Sequence, residues 1–266
     1  MRNPAFSSPA FKANGALVAA ETVTAEQLDE IYQRPAAERP TDDRMTIEDS
    51  LRKSAAAFGL LLVGAAIGWV TMPAVPWLWI VAGIAGFVLA LVNIFKRQPS
   101  GALVLTYSAA QGVFLGGISS FYEGMYPGIV MQAVIATLCV VGITLWLFAS
   151  GRVRASKKAT KVFLIALIGY AVFSLINVVL MLTGVSPDPW GLRTGVEIFG
   201  IPLGIILGVL AVLLGAYSLV LDFDFIKQGV DNGAPRVYGW RGAFGVMLTI
   251  IWLYLEILRL IAIARD

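Results

Sequence analysis

The chain has 266 residues, of which 58% are hydrophobic and 14% are charged, and its formal net charge is +3. Soluble domains average about 25% charged residues, and folding removes only about three-quarters of a chain's surface from water. So much apolar surface requires lipid as its solvent, and we therefore predict a polytopic membrane protein. The small positive charge does not indicate a nucleic-acid partner.

The residue types also limit the chemistry. The sequence has no histidine and a single cysteine, Cys139, which excludes histidine-based acid–base catalysis, an intrachain disulfide and a cysteine metal cluster. No pairing of a nucleophile with a base is recognisable along the chain. We therefore predict that the protein is not an enzyme and holds neither a cofactor nor a metal.

The N-terminal part differs from the rest in composition. Residues 1–44 combine prolines, acids and small residues with little apolar content. Burial of so little apolar surface does not offset the conformational entropy lost on folding. We predict a disordered cytosolic tail over 1–44 and a transmembrane domain over 45–266. Thr46 with Asp49 three residues later is typical of a helix start, because both groups satisfy free N–H groups of the first turn.

The remaining chain is divided into long apolar stretches by short polar segments. A transmembrane helix needs about 20 apolar residues, and seven stretches reach that length. We therefore predict an all-α fold, a bundle of seven transmembrane helices. The predicted spans are residues 54–74, 77–95, 101–121, 127–149, 161–184, 199–226 and 242–263.

The basic residues predict the orientation of these spans. The loops after the second, fourth and sixth spans hold ten lysines and arginines, whereas the loops after the first, third and fifth hold only Arg193. Basic loops stay in the cytosol, so we expect a cytosolic N-terminus and, after seven crossings, a C-terminus outside. The ten residues are Lys96, Arg97, Arg152, Arg154, Lys157, Lys158, Lys161, Lys227, Arg236 and Arg241.

Small residues recur four apart in several spans, which lets helix backbones approach closely in lipid. Packing within one bundle is the simpler interpretation, and a dimer face is the alternative. The glycines concerned are Gly64 and Gly68, Gly112 and Gly116, and Gly200, Gly204 and Gly208.

Acidic residues enter the apolar stretches only near the end of the chain. Asp222 and Asp224 lie in the sixth span, two residues apart, which separates them by about 200° around a helix. Only one of them can point into the bundle, and the spacing does not say which. An ionisable side chain at membrane depth is costly and indicates a functional site.

Glu256 lies deeper in its span than the two aspartates. It follows the start of the seventh span by about 14 residues, or roughly 21 Å of helical rise. Arg259 lies three residues further on, so one interpretation is an ion pair within the helix. The other is that Glu256 meets an acid of the sixth span, where two carboxylates share a proton and can bind a hard cation such as Ca²⁺.

Two motifs resemble a known family. The stretches Leu-Asp-Phe-Asp-Phe-Ile-Lys at 221–227 and Trp-Leu-Tyr-Leu-Glu-Ile-Leu-Arg at 252–259 resemble the end of the transmembrane Bax inhibitor motif family, bacterial branch. The resemblance extends over about residues 45–263 and includes Thr-Tyr-Ser-Ala-Ala-Gln-Gly at 106–112. It implies a bundle with the seventh helix at its centre, in a bacterial inner membrane.

The resemblance also implies roles for individual residues. Bacterial members include pH-sensitive calcium-leak proteins, in which an acid of the sixth helix and one of the seventh form a gating pair. Asp222 and Glu256 match these positions, with Glu where the family usually has Asp. Asp224 falls where the family often has an amide. A family arginine that latches onto the pair corresponds to the region of Lys96 and Arg97, and Arg259 is a possible modulator because it neighbours Glu256.

The function predicted from the sequence is therefore a pH-sensitive calcium leak gated by Asp222 and Glu256. The alternative is a non-conducting regulator of a membrane-bound protease, because some bacterial relatives are described in this way and residues 1–44 offer a docking segment. A proton-coupled transporter ranks last, since the two halves of the chain show no internal similarity. The expected partners are the lipid bilayer, Ca²⁺ as permeant ion and, for the alternative, the protease.

Overall fold

A computed structural model of the chain describes residues 43–185 and 190–266. The tail predicted over residues 1–44 lies outside the described residues except for its last two. Its predicted disorder and its docking role therefore stay predictions. Arg44–Asp266 form one compact unit.

Seven helices in the described ranges are long and apolar enough to cross a membrane, which confirms the predicted all-α multi-pass fold. Each begins or ends within a few residues of its predicted span. The helices are α1 (Ile47–Thr71), α2 (Leu78–Phe95), α3 (Gly101–Met125), α4 (Ile129–Ala149), α5 (Lys157–Leu182), α6 (Leu203–Asp231) and α7 (Gly239–Arg265), the last preceded by a 3₁₀ turn, Arg236–Tyr238.

The last helix lies at the centre of the bundle. In the most apolar stretch of α7, 61% of the residues are buried, whereas the corresponding share is at most 39% in any other span. It packs on α1, α3, α4 and α6. Most apolar side chains of α2 and α5 face outward, toward lipid.

Side-chain caps explain why two helices begin before their predicted membrane spans. The Thr46 hydroxyl oxygen accepts a hydrogen bond from the Asp49 N–H at 3.1 Å, so α1 begins at Ile47, at the signature seen in the sequence. The Ser156 hydroxyl likewise accepts from the Ala159 N–H at 3.2 Å and begins α5 among basic residues.

The start of α6 differs from the prediction. Residues 199–202 were expected to be helical, but Glu197–Ile198 and Ile201–Pro202 pair as a two-residue antiparallel hairpin. Its turn is Phe199-Gly200, where both residues have positive φ angles, 55° and 76°. Helix α6 therefore begins after Pro202, and a single helical turn, Leu192–Gly195, precedes the hairpin.

Glycines bring helices into close contact inside the bundle. A methyl group at Gly68 or Gly116 would collide with backbone atoms of the partner helix, so α1 and α3 touch backbone to backbone. Gly204 and Gly208 instead receive the side chains of Ile263 and Leu260 from α7. These glycines serve packing within the bundle, whereas Gly200 lies in the hairpin turn.

The segment before α1 closes the end of the bundle that carries the basic loops after α2, α4 and α6, called the basic end below. The N–H of Met45, a side chain only 2% exposed, donates to the Ala234 carbonyl at 2.7 Å. Arg236 donates twice to one oxygen of Asp49, at 2.8 and 2.9 Å. The juxtamembrane residues are thus bound to the connection between α6 and α7.

Candidate functional site

The candidate site lies between α6 and α7, which run antiparallel with a register that glycine contacts define. Gly215 of α6 lies against Leu253 of α7, and Gly208 lies against Leu260. Nearer the basic end, Gly245 of α7 lies against the Asp222 carboxylate. This register decides which side chains of the two helices can meet.

Asp222 points into the interface between the two helices. The Thr249 hydroxyl donates to its Oδ2 at 2.6 Å, while its Oδ1 lies beside Gly245. Because the Thr249 proton is used in this bond, the Ser218 hydroxyl, 3.2 Å away, donates to Thr249 Oγ1. A chain of hydroxyls thus ends on the carboxylate, and within residues 43–185 and 190–266 no lysine or arginine forms an ion pair with it.

Glu256 has different partners. Its side chain is buried, and Arg259 Nη1 donates to both carboxylate oxygens, at 3.0 and 3.1 Å. The Trp252 indole N–H donates to Oε1 at 3.2 Å. Of the two interpretations that the sequence left open, the ion pair within the helix is the one the structure has.

The structure therefore does not bring Asp222 and Glu256 together. Thr249, the partner of Asp222, precedes Glu256 by seven residues, which is about 10 Å along the axis of α7. Leu253 and Leu260 flank Glu256 and lie against Gly215 and Gly208, a part of α6 with no acid. The expected contact between the two carboxylates is corrected on this ground, and their roles in gating stay predictions.

Asp224 lies away from the interface with α7, as helical phase requires. Its Oδ2 accepts a hydrogen bond at 2.5 Å from Gln228, one turn further along α6. It lines a surface recess that Lys157 and Lys161 of α5 also line. The structure thus selects Asp222 as the inward acid, which the spacing alone left undecided.

The two residues predicted to latch onto the acids lie elsewhere. Lys96 and Arg97 follow the last residue of α2 and are exposed. In the part of the chain that the structure describes, neither has a hydrogen bond or ion pair with Asp222 or Glu256. The contact to this end of α2 comes instead from Arg241, which donates to the Ile94 carbonyl at 3.1 Å.

Several residues at these sites were not identified from the sequence. Thr249 and Ser218 are neutral and common in transmembrane helices, and only the register of α6 against α7 shows that they face Asp222. Arg193 entered the sequence argument only as a topology marker. Its burial depends on how the turn Leu192–Gly195 packs, and no local sequence pattern indicated it.

No group of three or more histidine, cysteine, aspartate or glutamate side chains in residues 43–185 and 190–266 is arranged to hold a metal ion. What the α6–α7 interface offers instead is one carboxylate with a short series of hydroxyls. Such a group can change its hydrogen bonding when it gains or loses a proton. It can also attract a cation through hard oxygen atoms.

Comparison with known proteins gives a family for this arrangement. A search of curated proteins finds no match to the chain. A family model described as Bax inhibitor 1 like matches residues 3–266, nearly the whole sequence. This agrees with the seven spans, the central last helix and the acidic motifs of α6 and α7. The chain belongs to the Bax inhibitor 1 like family of multi-pass membrane proteins.

Proposed function

We propose that the protein is a pH-sensitive leak pathway for cations, with Ca²⁺ as the expected permeant ion, and that Asp222 is the group through which protons act on it. The observation that carries this proposal is a carboxylate inside a span whose hydrogen-bond donor is a hydroxyl rather than a cation. Intramembrane acids of this kind mark ion or proton paths. The family resemblance supplies calcium as the ion.

The proposed mechanism follows from the donors and acceptors around Asp222. An ionised carboxylate only accepts hydrogen bonds, so Thr249 and Ser218 align their protons toward it. A protonated carboxyl group has a proton of its own to donate, and the same alignment no longer satisfies every group. Gain of a proton therefore changes which α6–α7 arrangement is favoured, and the populations of closed and open bundles shift.

This proposal replaces a gate of two carboxylates by one carboxylate with two hydroxyls. Glu256, held by Arg259, is assigned to stabilising the α5–α7 region rather than to sensing protons. The pathway is a passive conduit, so no catalytic residues are proposed. The regulator of a membrane protease remains the alternative, and its docking segment, residues 1–44, lies outside the described residues apart from the last two.

The test is calcium flux into liposomes that contain the purified protein and a trapped calcium dye, measured from mildly acidic to mildly alkaline pH. Wild-type flux should depend on pH, and Asp222→Asn should remove most of that dependence. Asp224→Asn is the matched control, because it makes the same change two residues away on the other side of α6, and it should behave as wild type.

Two results would contradict the proposal. An Asp222→Asn profile that overlays that of the wild type would exclude Asp222 as the proton-responsive group. Wild-type liposomes with no more flux than protein-free liposomes would exclude conduction and favour the regulator. In that case a truncation that lacks residues 1–44 should lose the partner in a pull-down.

A further inference from the structure

Arg193 is a buried cation that has no anionic partner among residues 43–185 and 190–266. Its side chain belongs to the short helical turn Leu192–Gly195 and is 4% exposed. Its Nη2 donates to the hydroxyls of Tyr170 and Ser174 at 3.0 and 3.1 Å, and its Nη1 is buried with no hydrogen-bond partner in the described part of the chain. A buried charge is costly unless it is paired, and Arg193 forms no ion pair with an acid of the described residues.

A second arginine lies in the same network. Arg259 Nη1 is 3.5 Å from the Tyr170 hydroxyl oxygen, to which Arg193 also donates. Two guanidinium groups thus meet at one phenol oxygen. Glu256 compensates Arg259, so the pair of arginines keeps one positive charge in excess. This excess lies at the end of the bundle opposite the basic end.

Both arginines line a cavity of about 470 Å³ at that end. One wall is apolar and is formed by Phe121 and Met125 of α3 and by Val178 and Met181 of α5. These four side chains are exposed in the isolated chain, at 38–54%, so they face the surface that lipid covers. The cavity therefore joins a buried, positively charged interior to the hydrocarbon surface between α3 and α5.

We propose that this cavity binds an anionic phospholipid, with the phosphate on Arg193 and an acyl chain along the wall between α3 and α5. Guanidinium groups match phosphate oxygens with two parallel hydrogen bonds. Arg193 lines this cavity, and its Nη1 has no hydrogen-bond partner among the described residues. Basic pockets between transmembrane helices on the cytoplasmic side are known to hold acidic lipid head groups, and this cavity offers the same chemistry at the other end of the bundle.

A free phosphate ion shares the chemistry of the head group but does not use the apolar wall. Burial of a single CH₂ group contributes about 0.8 kcal/mol, so a chain lying along four apolar side chains adds affinity that an inorganic ion lacks. Asp266 also lines the cavity, where its Oδ1 accepts a hydrogen bond from Tyr126 at 3.3 Å. Arg193 is the one arginine of this cavity without an acid partner in the described chain, so the expected stoichiometry is one lipid.

Native mass spectrometry of the full chain in detergent tests the proposal. The protein is titrated with phosphatidylglycerol, with phosphatidylcholine of the same acyl chains, and with inorganic phosphate. Both lipids carry the phosphate, but the choline cation of phosphatidylcholine is repelled by the positive charge of Arg193. Wild type should therefore bind one phosphatidylglycerol about tenfold or more tightly than phosphatidylcholine. It should bind inorganic phosphate far more weakly than either lipid.

Two variants and a control locate the site. Arg193→Gln should reduce the preference for phosphatidylglycerol to less than about threefold, because the remaining charge of Arg259 is already paired. Arg152→Gln removes the same charge from an exposed position at the basic end and should leave the preference unchanged. Val178→Trp fills the mouth of the cavity from an exposed position and should lower binding of both lipids.

Each other result decides against the proposal. Equal affinity of the wild type for both lipids would remove the role of Arg193, and equal affinity for inorganic phosphate would replace the lipid by a free anion. Should Arg193→Gln fail to fold, Val178→Trp decides, and unchanged lipid binding in that variant overturns the assignment. Calcium flux is not measured in any of these experiments, so the proposed leak is tested separately.

Discussion

Asp222 of α6 and Glu256 of α7 lie about 10 Å apart along the bundle and have opposite surroundings. Asp222, toward the basic end, accepts from Thr249 and lies beside Gly245, without an arginine or lysine on it in the described chain. Glu256, about 10 Å further along α7, is buried and held by Arg259 and Trp252. Both acids lie inside membrane spans, where an ionisable side chain is costly. The partners differ in kind, because a guanidinium group pairs with Glu256 whereas a hydroxyl donates to Asp222.

The comparison predicts its largest effect at Glu256. Replacing Glu256 by Gln leaves Arg259 without its anion, and breaking a buried pair in this way costs about 3 kcal/mol. The thermal midpoint in detergent should therefore fall by several degrees, whereas Asp222→Asn, which leaves no cation behind, should lower it much less.

The matched control is the double variant Glu256→Gln/Arg259→Gln, in which neither charge remains. It should be more stable than Glu256→Gln alone, because removal of both partners avoids an unpaired charge. Equal midpoints for Glu256→Gln and Asp222→Asn would show that the two acids do not differ as their contacts indicate.

The hydrogen bond from Thr249 to Asp222 gives the next effect. Thr249→Val preserves the shape of the side chain but removes the hydrogen-bond donor. Because the acceptor is a charged group, the free energy of unfolding should fall by about 2 kcal/mol. A double-mutant cycle on thermal midpoints isolates the bond, since in the Asp222→Asn background the same replacement should cost less than about 1 kcal/mol. Additive effects would mean that Asp222 does not depend on Thr249.

A smaller effect is expected where Gly245 lets the carboxylate approach α7. A methyl group there would lie 2.6 Å from Asp222 Oδ1, so Gly245→Ala must displace the carboxyl group. Alanine also favours a helix by about 1 kcal/mol over glycine. We therefore expect little net change in the thermal midpoint but a weakened pH dependence of calcium flux.

Gly142→Ala in α4 is the control for that replacement, because no atom lies within 4 Å of the methyl group it adds. It should show the helix-propensity gain alone and leave the pH dependence of flux intact. The difference between the midpoints of the two variants measures what Asp222 loses when it moves. A Gly245→Ala protein as stabilised as Gly142→Ala would show that the carboxyl group is not constrained there.

The sequence predicted the seven spans and the central place of the last helix, because apolar length and the family resemblance decide them. It also predicted that Asp222 and Asp224 face different ways. The sequence could not show whether Asp222 contacts Glu256, because that contact depends on the register of α6 against α7. That register is set by contacts such as Gly215 with Leu253, between residues 38 positions apart in the sequence.

The hairpin before α6 and the buried Arg193 were missed for a related reason. Residues 199–202 are as apolar as the transmembrane helix that follows them, so hydropathy does not distinguish the hairpin from the start of α6. The positive φ angle of Phe199 comes from the closure of a two-residue turn. Burial of Arg193 depends on the fold of Leu192–Gly195 against Tyr170 of α5, which no local pattern encodes.

The smallest effect is expected at Asp224, and it sharpens the comparison from the other side of α6. Its carboxylate is bound to Gln228 on the same helix and lies near the basic residues of α5. Surface replacements of this kind stay within about 0.5 kcal/mol, so Asp224→Asn should leave both the thermal midpoint and the pH profile of calcium flux close to those of the wild type. If instead Asp224→Asn changed the profile as strongly as Asp222→Asn, the response would follow the acidity of this end of α6 as a whole. The inward position of Asp222 and its bond to Thr249 would then have no special part in it.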